Sequence, residues 1–164
     1  PLIKGGGQER GQRGGTENVA AIAGFGAAAA AANQADAARM ANLRDRIESA
    51  IKAIAPQALI FAANVPRLPN TTLFAVPGMK AETAIIAFDL NGIALSSGSA
   101  CSSGKVQASH VLVAMGVEPA LARGALRVSM GSSTTERDIE NLLAALTKVL
   151  SSLLKRHVNA GLAA

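Results

Sequence analysis

Apolar side chains recur at Met40, Leu43, Ile47, Ile51 and Ile54, and again at Ile139, Leu142, Leu143, Leu146, Val149, Leu150, Leu153 and Leu154. Steps of three and four residues place each set on one stripe of an α-helix. The spacing predicts a helix that ends at Pro56 and a final helix from Thr135 to about His157. Between them the pattern shortens. Leu59-Ile60-Phe61, Thr71 to Val76, Ile93 to Ser96 and Leu126 to Ser129 read as short strands. Ala81 to Leu90, Ser109 to Met115 and Glu118 to Arg123 read as helices, the first closed at Asn91-Gly92 and the second at Gly116. Residues 4–15 hold six glycines and no apolar side chain, and read as an irregular loop. Thr16-Glu17-Asn18 can cap a helix that starts near Val19 and runs through Gly24 to Ala32, with a kink at Asn33. Helices come first, then strands interleaved with helices. The expected class is α/β, in the form of an α+β layer with a small sheet covered by helices.

Composition sharpens this picture. At 164 residues the chain can bury one sizeable core. It is 49% hydrophobic but only 2% aromatic, without Trp or Tyr, so the core must be built from Ala, Leu, Ile and Val. The four Phe residues are isolated and read as core. The longest apolar run, Ile22 to Ala32, is too short to span a bilayer, and no segment resembles a signal peptide, so no membrane partner is expected. The chain opens on Pro1 and reaches glycines within four residues, which points to a piece of a longer protein. A loose tail is expected after Asn159.

The net charge of +5 and a pI near 10.0 would suit nucleic acid. The basic residues are scattered from Lys4 to Arg156, however, and no aromatic platform accompanies them. No nucleic-acid partner is expected, and an anion binder built on the basic glycine loop ranks last among the readings. One cysteine excludes an internal disulfide and points to a reducing, cytoplasmic setting; no Cys/His cluster suggests a metal.

That cysteine is the main chemical candidate. Cys101 sits in Ser96-Ser97-Gly98-Ser99-Ala100-Cys101-Ser102-Ser103-Gly104, among small polar residues that offer little burial. From the loop alone it reads equally as a nucleophile or as an incidental surface thiol. Arg127 lies on a predicted strand, where Leu126 and Val128 point to the opposite face. Such a guanidinium can grip a carboxylate, or can be an ordinary salt-bridged arginine. Thr16, after two glycines and at a predicted helix start, reads as an N-cap or as a phosphate contact.

Three separated segments together resemble one family. Gly5-Gly6-Gly7-Gln8-Glu9-Arg10-Gly11 with Arg13-Gly14-Gly15-Thr16 is similar to the GGGQE and RxGT element of cysteine desulfurases. Ser96 to Ser103 resembles their active-site cysteine loop. Ser109-His110-Val111-Leu112 to Met115-Gly116, then Leu126-Arg127-Val128-Ser129-Met130-Gly131, resemble two further elements in the same order.

The resemblance is to the NifS/IscS-like branch of the class-V, fold-type-I pyridoxal-phosphate enzymes, which take sulfur from L-cysteine and leave alanine. It implies Cys101 as the persulfide-forming nucleophile, Arg127 as the carboxylate clamp, and Thr16 as a contact to the cofactor phosphate of the partner subunit, hence a homodimer. A sulfur acceptor such as an iron–sulfur scaffold would be a further partner. The implied layout is a glycine loop from the large domain at 1–18, connecting helices at 19–55, the C-terminal small domain at 56–159 and a tail at 160–164. His110 is expected to support the loop, and Gln8 and Arg13 to shape the glycine segment. The family's Schiff-base lysine follows a histidine upstream of the glycine element, and no lysine here follows a histidine. The chain alone is therefore expected to be inactive. The competing readings are a stand-alone persulfide carrier and a selenocysteine lyase.

Overall fold

The computed structural model describes residues 1–32, 35–98 and 108–161. The chain forms two compact units, Pro1–Gln34 and Ala35–Ala164. The first holds a 3₁₀ turn at Gln8–Gly11 and helix α1 (Val19–Ala31). The second runs α2 (Ala35–Ile54), β1 (Leu59–Ile60), β2 (Thr71–Ala75), α3 (Ala81–Asp89), β3 (Ser96–Ser97), α4 (His110–Ala114), α5 (Pro119–Arg123), β4 (Leu126–Ser129) and α6 (Glu136–Gly161).

The sheet has the order β1-β2-β4-β3, and every pairing is antiparallel. β4 is held on both sides, with Arg127 opposite Leu73 of β2 and Ser96 of β3. Asn70 prolongs the central ladder, since its carbonyl accepts from the Met130 amide at 2.9 Å and its side-chain amide donates to the Met130 carbonyl at 3.1 Å. Alternation along the strands separates two faces. Phe74, Leu126 and Val128 face the main core with Leu43, Ile47 and Ile51 of α2, Phe88 of α3, and Leu146 and Leu150 of α6. Each such side chain contributes about 1.5–3 kcal/mol on burial. Ala75 on the other face joins Phe61, Leu112, Ala122 and Ala125 in a smaller cluster, with Leu73 packed against it. The expected small sheet covered by helices is the observed architecture.

Several local expectations shift. The strand expected at Ile93–Ser96 is observed at Ser96–Ser97. Gly92, at φ +75°, ends α3 in the left-handed conformation expected of it. Its amide bonds Asp89 O at 2.8 Å, and the Ile93 amide bonds Phe88 O at 3.0 Å. The helix ending thus takes the Ile93 donor, and the ladder starts three residues later. The irregular loop at 4–15 contains the 3₁₀ turn, with Glu9 and Arg10 at φ 48° and 59°. At its far end the chain crosses itself: the Gly14 amide bonds Ile3 O at 2.9 Å, and a Cβ on Gly14 would lie 2.3 Å from Gly5 O.

The helix cap is Asn18, whose Oδ1 accepts from the Ala21 amide at 3.1 Å, so the capping reading of Thr16 is replaced. Phe61, Phe74 and Phe88 are buried, but Phe25 is 78% exposed. Helix α1 is apolar on every side, so no face is singled out for burial, and none of its residues is buried among the described residues. The final helix runs to Gly161, four residues beyond the expected end. The kink at Asn33 falls outside the described residues.

The start of α6 is a reciprocal cap. The Thr135 amide and hydroxyl donate to Asp138 Oδ2 at 2.8 and 2.7 Å, and the Asp138 amide donates to Thr135 Oγ1 at 3.3 Å. The Thr135 amide first, then its hydroxyl, hold the Asp138 carboxyl below its ordinary pKa, with the Arg137 charge adding to them. A depressed folded-state pKa gives stability that is present above the ordinary aspartate value and lost as pH falls through the lower folded one. Asp138→Asn should therefore lower Tm at pH 7, with the gap to the parent closing as pH falls below about 4; thermal melts across pH 2–7 check this.

Candidate active site

Strand alternation turns Arg127 away from the main core, and on that side a cavity of about 380 Å³ opens over the sheet. Arg127, Leu73 and Thr71 line it from β4 and β2, and Leu112 and Met115 line it from α4 and its C-terminal cap. The walls are mainly apolar, so a charge inside is poorly screened. Arg127 Nε is buried without a hydrogen-bond partner, and among the described residues no hydrogen bond or ion pair engages its guanidinium. A buried donor left unmade costs about 1–3 kcal/mol. A planar group with free donors in an apolar cavity is suited to a carboxylate.

A second arginine lines the same cavity and is in the opposite condition. Arg67 Nη2 donates to Glu48 Oε2 at 2.8 Å, Nη1 lies 2.7 Å from Glu48 Oε1, and Nη1 also reaches Thr71 O at 3.3 Å. The hydrogen bond that Arg67 donates to Glu48 raises the Arg67 pKa above its ordinary value, so this charge is permanent and already balanced. Among the described residues the cavity therefore presents one uncompensated cation, Arg127. The sequence reading missed Arg67 and Glu48, because a pair 19 residues apart, joining a helix to a proline-bracketed loop, leaves no periodic signal.

Cys101 lies outside the described residues. Both described flanks of its loop reach the cavity. Gly98 lines it on one side, with its amide on Ala125 O at 2.8 Å. Ser109 lines it on the other, buried and capping α4 through Oγ, which accepts from the Leu112 amide at 3.5 Å. Ser96, opposite Arg127 in the register, stands just before this loop. His110 is exposed at the first position of α4.

In the other unit, Thr16 is exposed, and its carbonyl accepts from Arg13 Nη1 at 2.8 Å. Arg13 also reaches Gly15 O at 3.2 Å and so folds the loop around itself. Gln8 Oε1 is buried without a partner.

The described lysines at Lys52, Lys80 and Lys148 are engaged or placed away from this cavity. Lys52 donates to Ala58 O, Lys148 donates to Asn91 Oδ1 at 2.9 Å, and Lys80 lines a separate hollow with Arg123. Among the described residues no lysine lines the Arg127 cavity, and no cluster of three or more His, Cys, Asp or Glu could hold a metal. No helix among them is long and apolar enough to cross a membrane.

The model of the Aminotransferase class-V family matches residues 5–142. The chain belongs to the aminotransferase class-V family. A cysteine desulfurase from Enterobacter agglomerans is 40% identical over 155 residues, which cover 93% of this chain and 39% of that protein. This class-V chain thus spans about two-fifths of the length of the relative it matches. Among solved structures, a NifS-like protein from Rickettsia africae ESF-5 superposes with a TM-score of 0.75 at 39% identity, over 92% of this chain and 40% of the other. A further structure, SspA in complex with cysteine, gives a TM-score of 0.56 at 29% identity, over 79% of this chain and 35% of the other. The class-V fold implied by the motifs is the one present.

Removing one partner of the half-buried pair should strand the other. Arg67→Ala is expected to cost about 1–3 kcal/mol in urea unfolding. Adding Glu48→Ala should return part of that loss, and the double-mutant cycle measures it.

Proposed function

We propose that this chain is the sulfur-accepting portion of a pyridoxal-phosphate-dependent cysteine desulfurase, with Arg127 holding the carboxylate of L-cysteine and Cys101 taking its sulfur. The observation that carries the reading is the Arg127 guanidinium, its buried Nε without a hydrogen-bond partner among the described residues, in a cavity reached by both described flanks of the Cys101 segment. Cys101 follows Gly98 by three residues, a covalent reach of at most about 11 Å. That tether starts at a residue lining the Arg127 cavity, so its length allows the thiol to meet a substrate held there. The complex of a structural relative with cysteine agrees in substrate class.

The transfer balances as follows. The Cys101 thiolate attacks Sγ of the substrate, an S–S bond forms, and the substrate Cβ–Sγ bond breaks. The electron pair of the broken bond stays on carbon, which takes up a proton, and the products are alanine and a Cys101 persulfide. Arg127 fixes the substrate so that Sγ faces the loop. Stabilising charge on the substrate carbon is the work of pyridoxal phosphate. The described residues do not fit that cofactor by themselves, for among them are the exposed Thr16 hydroxyl and no lysine at the cavity. On this reading the chain alone is inactive, since none of its lysines follows a histidine as the family's Schiff-base lysine does.

An exposed Thr16 on a self-folded glycine loop is free to meet a phosphate held by a second copy, which makes the working unit a homodimer. The persulfide then passes to an acceptor protein, in cluster or thio-cofactor assembly. A lone reactive thiol suits a reducing cytoplasm.

In the full-length protein, Cys101→Ser should abolish sulfide release and alanine formation from L-cysteine; full activity in that variant would sink the assignment. Arg127→Ala should lower kcat/KM by about 10- to 150-fold, the loss of a charged hydrogen bond. Steady-state alanine formation measures both.

A further inference from the structure

At Gly98, three residues before Cys101, the chain approaches β4 unusually closely. In ordinary antiparallel pairs, Cβ atoms of facing residues lie about 4.5–5.5 Å apart. Gly98 continues the β3–β4 ladder opposite Ala125, with its amide on Ala125 O at 2.8 Å. A Cβ built on Gly98 would stand 2.8 Å from Ala125 Cβ and 3.7 Å from Leu112 Cδ1. The chain therefore lies nearer to β4 than any side chain would permit.

The cause is size, not backbone conformation. Gly98 is not among the positive-φ residues, so alanine could adopt its backbone. Ala125 and Leu112 are fully buried, Ala125 sits two residues before Arg127, and Gly98 lines the same cavity as Arg127. Neither wall can retreat without moving the strand that carries the clamp or the helix that roofs it.

We propose that Gly98 and Ala125 form a size-limited seat that fixes where the Cys101 loop departs from the sheet relative to Arg127, so that Gly98 is a positioning residue for sulfur transfer. This rests on the reading of Cys101 as nucleophile and Arg127 as clamp. Substrate capture on Arg127 and delivery of the thiol are then set by separate features. A change at the seat moves the second more than the first, because Arg127 stays in register with Leu73 on its other side.

The test is a rescue cycle in the full-length holoenzyme with Gly98→Ala, Ala125→Gly and the double variant. Gly98→Ala is expected to lower kcat for alanine formation by at least about 10-fold, with KM for L-cysteine within about twofold of the parent. The double variant, which removes the opposing methyl, should regain most of kcat. The alkylation rate of Cys101 by iodoacetamide, which needs no turnover, should change several-fold in Gly98→Ala and return in the double variant. A packing role alone would lower Tm and leave kcat per folded molecule and alkylation unchanged, which overturns the proposal. Loss of kcat that the double variant does not restore, although it restores Tm, overturns it too. Should Gly98→Ala not fold, Ala125→Gly alone decides, because a loosened seat should still lower kcat at constant KM, and an unchanged kcat would refute it. If Cys101→Ser retains activity, the desulfurase reading fails, and the alkylation cycle by itself decides whether the seat fixes the loop.

Discussion

The two-residue period of β4 is the constraint on which the rest depends. Leu126 and Val128 are locked into the core against α2, α3 and α6, which forces Arg127 to the other face. A slip of one residue would bury the guanidinium and expose two core side chains. Two neighbours oppose that slip, since β2 and β3 both pair with this strand, and the Asn70–Met130 bonds extend the ladder. The packing energy of the core thus sets the direction of Arg127, the proposed clamp. Stability and candidate chemistry share four residues.

What the sequence made legible follows from the same physics. Helices α2 and α6 repeat apolar residues over about four turns each, and a long period survives tertiary packing. Gly92 was readable as a helix end because its left-handed conformation is costly for other residues. Arg127 was readable because alternation needs only its two neighbours. The start of β3 was not, since apolar Ile93 and Leu95 look strand-like while the helix ending claims the Ile93 amide. The choice between Thr16 and Asn18 as cap turned on two residues of loop geometry. The Arg67–Glu48 pair depends on a contact between distant segments, and the placement of Cys101 lies outside the described residues.

The two arginines of the cavity carry the functional argument further than composition could. A net charge of +5 says only that cations outnumber anions. Inside the cavity the distinction is local. Arg67 has a carboxylate at 2.7–2.8 Å and a carbonyl besides, and its role is complete in the folded chain. Arg127 has a buried donor with no acceptor, a condition that protein interiors rarely tolerate. An arginine kept only for stability would be paired as Arg67 is, or replaced by an apolar residue at lower cost. The unmade bond is what the proposed clamp role would complete, since a carboxylate on Arg127 supplies the acceptor that the described residues do not.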